Sequence, residues 1–350
     1  MTIQTVDYRP LGRTGIHVSP LCLGAMMFGA WGNTDVDDSI AIVHRALDAG
    51  INFVDTADVY ARGESEEILG KALRGRRDDV VLATKVHSPM GPGPNHGGNS
   101  RRWIMRAVED SLRRLNTDWI DLYQIHRPDP TTHIDETLSA LDTLVHQGKV
   151  RVTGTSTFPA ELLVEAAWAA SANGCQRFAT EQPPYSIFAR GVERDVLPTC
   201  ERLQLGVLVW APLNRGWLSG KYTRDTDASA DSRARRQADH FDYGTAAATR
   251  KLDALDQLKT LAADAGCSLI HLAIAFTLTH PSVTSAIIGP RTEEQLQSML
   301  GGDRVVLDGE TLDRIDDIVP PGSNLNPADA GYVPRALADS RLRRRAVHAV

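Results

Sequence analysis

The chain of 350 residues carries four cysteines, and Cys22, Cys175, Cys200 and Cys267 stand far apart with no C-x-x-C pair among them. That spacing argues against a thiolate zinc site or a dithiol redox motif and suits a reducing, cytosolic setting. The 11 histidines include no His-x-His, so the clustered ligands of a metal-dependent barrel hydrolase are missing and no metal is expected. Excess positive charge is missing as well: a net charge of -6 with only short basic clusters leaves no footprint for a nucleic-acid backbone. No 18 apolar residues run together, and the opening MTIQTVDYRPLG has no charged stretch followed by an apolar one. The expectation is a cytoplasmic protein with neither nucleic acid nor membrane as partner.

What is present is an alternation. Short apolar runs, read as strands buried on both faces, are each followed by a segment of helical period. Strands are expected at 21–24, 51–54, 80–84, 119–125, 150–154, 178–181, 206–210 and 284–288. Helices are expected at 37–49, 66–73, 101–115 (with Ser100 as N-cap), 135–146, 160–170, 192–203, 247–265, 269–278 and 293–300. Eight such units at this length predict an α/β fold, a closed (β/α)₈ TIM barrel. An open doubly wound sheet would usually carry G-x-G-x-x-G after its first strand, and here that turn reads GAMMFGAWGN. Around the barrel, about 21–319, we expect an N-terminal hairpin at about 8–18, turned by GRTG, and a polar tail from about 320 to 350, all within one domain. Residues 214–246, after the seventh strand, are too long for an ordinary connection and read as a candidate lid.

In such a barrel the site lies at the C-terminal ends of the strands. Strand two ends in Asp55 with Tyr60 five residues on, strand three ends in Lys85, and strand four ends in His126. Carbonyl reduction needs a proton donor near the oxygen as hydride reaches the carbon, and a phenol, with a pKa of about 10, is a poor acid at neutral pH. A lysine ammonium beside it would favour the phenolate, and a carboxylate beside the lysine would keep that ammonium charged and placed. A neutral imidazole can donate a hydrogen bond to the oxygen as charge develops there. Singly, each residue has a structural explanation as turn-former, core ring or satisfied histidine. Together, at the ends of three consecutive strands, they fill every part of one mechanism.

FVDTADVYARGESEEILGKAL, LATKV and LYQIHRPDP resemble the Asp, Tyr, Lys and His elements of the aldo-keto reductase superfamily, and the resemblance runs from about residue 8 to about 319. WAPLNRGWLSGKY and AIIGPRTEEQL are most similar to the bacterial branch related to potassium-channel β subunits. The resemblance implies an NADP(H)-dependent oxidoreductase acting reversibly on a small carbonyl or alcohol. It also implies cofactor contacts. Ser156 and Gln182 would hold the nicotinamide carboxamide, with Thr157 standing where the family usually has Asn. Trp210 would stack on the nicotinamide, while Gly24, Met26 and Asp55 lie where the family's chain passes it. Pro212, Leu213, Gly216, Leu218 and Lys221 resemble the loop that wraps the pyrophosphate. Gly289, Arg291, Thr292 and Gln295 resemble the adenosine phosphate site, where a helix N-terminus and an arginine suit a 2′-phosphate and favour NADP over NAD. Ser298 and Met299 depart from the family's usual Glu and Asn. Trp31, Tyr60, His87, His126 and Arg127 are expected to line the substrate pocket. The competing expectation is a non-catalytic NADP(H)-binding sensor or regulatory subunit.

Overall fold

The computed structural model describes residues 6–224, 238–241 and 243–344. Eight parallel strands close into a barrel: β3 (Leu21–Gly24), β4 (Phe53–Asp55), β5 (Val81–Val86), β6 (Ile120–Ile125), β7 (Val150–Ser156), β8 (Thr180–Gln182), β9 (Gly206–Trp210) and β10 (Val283–Ile288). They pair in chain order, and β10 returns beside β3 through Ala286 opposite Leu21 and Ile288 opposite Leu23. A parallel pair needs a crossover, and helices supply it: α1 (Val36–Asp48), α2 (Glu64–Ala72), α3 (Arg101–Leu115), α4 (Ile134–His146), α5 (Ala160–Asn173) and α6 (Val196–Leu203). After β9 come α7 (Ala238–Phe241), α8 (Ala246–Asp264) and α9 (Leu269–Thr279), and after β10 come α10 (Glu293–Met299) and α11 (Gly309–Ile318).

Several helices start at a side-chain cap, Asp35 for α1, Ser100 for α3, Asp195 for α6, Thr245 for α8 and Ser268 for α9. Ser100 accepts a hydrogen bond from Trp103 N, and the following helix buries Trp103, Ile104, Ala107, Val108, Leu112 and Leu115 against the barrel. The core is two-layered. A large cluster fills the space between strands and helices, and a smaller one inside the barrel joins Cys22, Phe53, Ala83, Leu122 and Leu208 to Leu11 and Val18. Those last two come from the hairpin β1 (Arg9–Pro10) and β2 (His17–Val18), paired antiparallel. Its turn holds Gly12 at φ 57°, and a Cβ there would lie 2.7 Å from Ala179 O and 2.9 Å from Gly206 N, at the start of β9. The hairpin therefore plugs the N-terminal end of the barrel, and the opposite end stays open for a site.

Four departures from the sequence expectations have physical reasons. β7 continues to Ser156, and β8 begins two residues later than expected because Phe178 turns outward to meet the ring of Phe158 at 6.2 Å. The helix expected from 192 begins at Val196, where Asp195 caps it, after a separate 3₁₀ turn at Gly191–Glu193. α11, capped by Asp308, was not anticipated; only Thr311 and Ile315 are buried, too thin a stripe to read. The described part of the expected polar tail begins against the barrel: Ser323 O accepts from Arg190 N at 2.8 Å and Leu325 N donates to Phe188 O at 3.0 Å. Of the expected lid, residues 225–237 and 242 lie outside the described residues. Among the described residues no single helix is long and apolar enough to cross a membrane.

Candidate active site

Asp55 closes β4 and Lys85 lies on β5, so adjacent parallel strands bring their side chains together inside the barrel mouth. Lys85 Nζ is ion-paired with Asp55 Oδ1, donates to Thr56 O at 2.7 Å and stands 3.4 Å from Tyr60 Oη. The other carboxylate oxygen of Asp55 accepts from Gln124 Nε2 at 3.1 Å and Gln182 Nε2 at 2.9 Å. Burial works against the Lys85 ammonium, but the Asp55 carboxylate and the nearby phenol outweigh it and hold the lysine above its ordinary pKa. The lysine is therefore a fixed positive charge aimed at the Tyr60 oxygen.

Tyr60 is brought back over the mouth by an unusual backbone. Ala61 (φ 46°), Arg62 (φ 57°) and Gly63 (φ 104°) are all left-handed before α2 begins. Two non-glycine residues in that region cost about 1–3 kcal/mol each and persist only where packing over-determines them. Ser65 at the start of α2 helps to anchor the turn, donating to Ala25 O at 2.8 Å and bonding Thr56 Oγ1 at 2.8 Å. The phenol meets His126 edge to face at 5.7 Å and Trp31 at 5.9 Å. Burial, then the positive charges of Lys85 and Arg127, pushes the His126 imidazole well below its usual pKa, so the ring is neutral at neutral pH. Its Nδ1 is buried without a hydrogen-bond partner.

A second cluster adjoins the first. Arg127 Nη1 donates to His126 O at 2.6 Å and Thr157 Oγ1 at 2.7 Å, with Ser156 Oγ at 3.4 Å. Thr157 is itself left-handed, at φ 61°, unusual for a β-branched residue. Ser156 Oγ donates to Gln182 O at 2.9 Å. Trp210, at the end of β9, buries an Nε1 with no partner and has two guanidinium groups near its ring, Arg127 at 6.0 Å and Arg215 at 5.3 Å from the ring centre. Beyond it Ala211, Asn214, Arg215 and Gly216 all have positive φ. Pro212, Leu213 and Leu218 are buried, the two leucines in the core, so these positions offer backbone and not side chain to a ligand. The Lys221 ammonium lies 4.9 Å from the Tyr222 ring centre, beside Gly216.

A third group sits at the β3–β10 seam. Gly24 is pressed there, since a Cβ would stand 2.7 Å from Ile287 Cγ2, and a Cβ on Gly289 would face Gly24 O at 3.8 Å. Met26 follows, half-buried. Thr292 caps α10 by accepting from Gln295 N, and Gln295 Oε1 accepts from Arg291 N at 2.9 Å. His87 Nδ1 bonds Asn99 Oδ1 at 2.9 Å, and Asn99 Nδ2 donates to Arg127 O at 3.0 Å, which ties His87 to the second cluster. Among the described residues no group of three or more His, Cys, Asp or Glu side chains is arranged to hold a metal ion.

Several residues in these clusters were not singled out from sequence. Gln124 was hidden inside a strand read as apolar, although its alternation with Tyr123 and Ile125 at the end of β6 marks it as inward-facing. Glu181, next to Gln182, is buried with its carboxylate accepting from Thr155 Oγ1 at 2.5 Å and Phe158 N at 3.1 Å. Burial pushes its pKa up to about 7 in spite of those bonds. Asp58, in the loop after β4, is buried with no well-formed hydrogen bond to its carboxylate, and burial, reinforced by Glu66, raises its pKa well above the usual carboxylate range.

The family model for the aldo/keto reductase family matches residues 20–320, the whole barrel and its last helices. The chain belongs to the aldo-keto reductase family. It is 40% identical to an oxidoreductase of Bacillus subtilis, YrpG, over 93% of this chain and 100% of that protein. To a probable voltage-gated potassium channel subunit beta of Oryza sativa it is 37% identical, covering 90% of this chain and 97% of the relative. A second B. subtilis protein, aldo-keto reductase YhdN, is 37% identical over 84% of this chain and 88% of its own. Both aldo-keto reductases and potassium-channel β subunits are thus among the relatives, in keeping with the superfamily expected from the sequence. As an aldo-keto reductase the chain is an oxidoreductase of small-molecule substrates, a class compatible with the charged and aromatic mouth described above.

Proposed function

We propose that this aldo-keto reductase is an NADP(H)-dependent carbonyl reductase in which Tyr60 exchanges the proton with the substrate oxygen. The observation that carries this reading is the buried line Asp55, Lys85, Tyr60, with a neutral His126 beside the phenol. The groove also suits a nicotinamide nucleotide. Trp210 Nε1 lacks a partner, the Gln182 side chain has its amide nitrogen engaged and its oxygen free of any described bond, and a left-handed turn follows Trp210. Gln182 and Ser156 would hold the carboxamide, Trp210 the ring, the 212–221 segment the pyrophosphate, and Arg291, at the α10 start, the adenosine phosphate.

A nicotinamide bound there would supply hydride to the carbonyl carbon, or take it from an alcohol, and would itself be oxidised or reduced in turn. The carbon–oxygen π pair moves to oxygen, and Tyr60 gives that oxygen its proton. Lys85 holds the charge left on the phenol, Asp55 keeps Lys85 protonated and placed, and neutral His126 donates a hydrogen bond to the oxygen as it becomes negative. Trp31, His87 and Arg127 frame the substrate. Cellular cofactor poise, not these residues, sets the direction. NADPH and NADH titrations followed by fluorescence, then NADPH oxidation with 4-nitrobenzaldehyde and 9,10-phenanthrenequinone, test the reading: tighter NADPH binding with turnover supports it.

A second reading is a non-catalytic NADP(H)-binding regulatory subunit. The likeness to the channel β subunits favours it, and tight NADPH binding without turnover on a carbonyl panel would select it.

A further inference from the structure

The C-terminal segment makes an ionic cluster with the loop beyond Trp210 that the reductase chemistry does not use. Asp329, in a 3₁₀ turn at Pro327–Ala330, is 3% exposed. Its Oδ2 takes Lys251 Nζ at 2.7 Å and Asn214 Nδ2 at 3.1 Å; its Oδ1 takes His240 Nδ1 at 3.0 Å and stands 4.0 Å from Arg215 Nε. Lys251 Nζ also donates to Asn214 Oδ1 at 2.7 Å, and Asn214 Nδ2 reaches Ser186 Oγ at 3.3 Å. Four segments meet here: the turn after β9, α7, α8 and the tail. The hydrogen bonds from His240, Lys251 and Asn214 outweigh burial and keep the Asp329 carboxyl below its ordinary pKa, so it is charged.

The position of this cluster gives it a consequence. Arg215 is held at φ 59°, a conformation that a long side chain keeps only under outside constraint, and Asn214 before it is left-handed too, at φ 45°. Asp329 is at the centre of that constraint. Two residues on, Gly331 packs so tightly that a Cβ would lie 2.7 Å from Thr157 Cγ2 and 2.9 Å from Pro184 Cγ. The tail thus touches both the turn beyond Trp210 and the Ser156–Thr157 corner. A loop prepared in its binding shape before the ligand arrives binds more tightly and releases more slowly.

We propose that Asp329 is a positioning residue of the cofactor site: from the C-terminal segment it clamps the left-handed 214–216 turn and sets how fast the dinucleotide leaves. The proposal rests on the nicotinamide reading above. It is tested by stopped-flow release of NADPH from the full chain, with equilibrium titration alongside, in wild type, Asp329→Asn and His240→Ala. Asp329→Asn is expected to release NADPH at least tenfold faster and to bind it correspondingly more weakly, with KM for NADPH rising more than kcat falls. His240→Ala, which removes one of the four partners, is expected to speed release about threefold. Wild type that binds NADPH while both variants release it within 1.5-fold of the wild-type rate overturns the clamp and leaves the cofactor reading standing. Wild type that does not bind NADPH or NADH overturns both. If Asp329→Asn does not fold, the His240→Ala rate decides by the same 1.5-fold limit.

Discussion

The rings of His126 and Tyr60 meet edge to face at 80°, with centres 5.7 Å apart, and Lys85 Nζ stands 3.4 Å from the phenol oxygen. The imidazole therefore shares its surroundings with two permanent cations, Lys85 and Arg127, in a buried setting that disfavours its protonation. A histidine whose folded pKa is depressed stays neutral down to pH values below its unfolded one. NMR titration of the His126 ring should show no protonation between pH 6 and 8, and carbonyl reduction should show no limb near pH 6.5 that disappears in His126→Asn. A ring titrating near 6.5 would contradict the neutral donor role.

Breaking the Lys85–Asp55 pair should damage folding as well as chemistry. Both side chains are buried, and Lys85→Met leaves the Asp55 carboxylate without a counter-charge. Urea unfolding should show a loss of about 3–5 kcal/mol. Lys85→Met combined with Asp55→Asn should recover much of that stability and none of the activity.

Glu181 makes a pH-dependent contribution of opposite sign to a paired surface carboxylate. Its folded pKa, about 7, lies above the ordinary 4.5, so the folded protein binds the extra proton and stability falls as pH rises from about 4.5 to about 7. The full difference is on the order of 3 kcal/mol. Glu181→Gln should flatten the stability profile across that window, and a profile unchanged by the substitution would show that the carboxyl titrates normally.

Much of the barrel was legible because local signals agreed with the fold. Leu21–Gly24, Gly206–Trp210 and Arg101–Leu115 appear at the bounds expected, the strands as apolar runs and the helix from its Ser100 cap and apolar stripe. Asp55, Tyr60, Lys85 and His126 could be grouped from sequence because strand ends fall at one rim in a barrel, and the side chains do lie together. Asp329 and Lys251 gave no such signal. They lie 78 residues apart, and their pairing exists only because α8 and the tail pack on the same loop. Asp58 and Glu181 were not singled out from sequence, since burial is a property of the closed barrel and not of neighbouring residues.

Arg291 is the residue proposed to separate NADP from NAD. It lies half-buried ahead of α10, whose N-terminus is capped by Thr292 and Gln295. A guanidinium–phosphate contact contributes about 1.5–3 kcal/mol, so Arg291→Leu should weaken NADPH roughly ten- to hundredfold while leaving NADH within about threefold. Equal losses for both cofactors would remove the 2′-phosphate role.

The most direct measurement is NADPH-dependent reduction of 4-nitrobenzaldehyde by wild type and Tyr60→Phe, with NADPH affinity measured on the same preparations. Removing the phenolic proton while keeping the ring should lower kcat by about 10²–10⁴ and leave NADPH affinity within a few-fold of wild type. Equal turnover by the two proteins, or turnover by neither despite tight NADPH binding, would contradict Tyr60 as the proton donor.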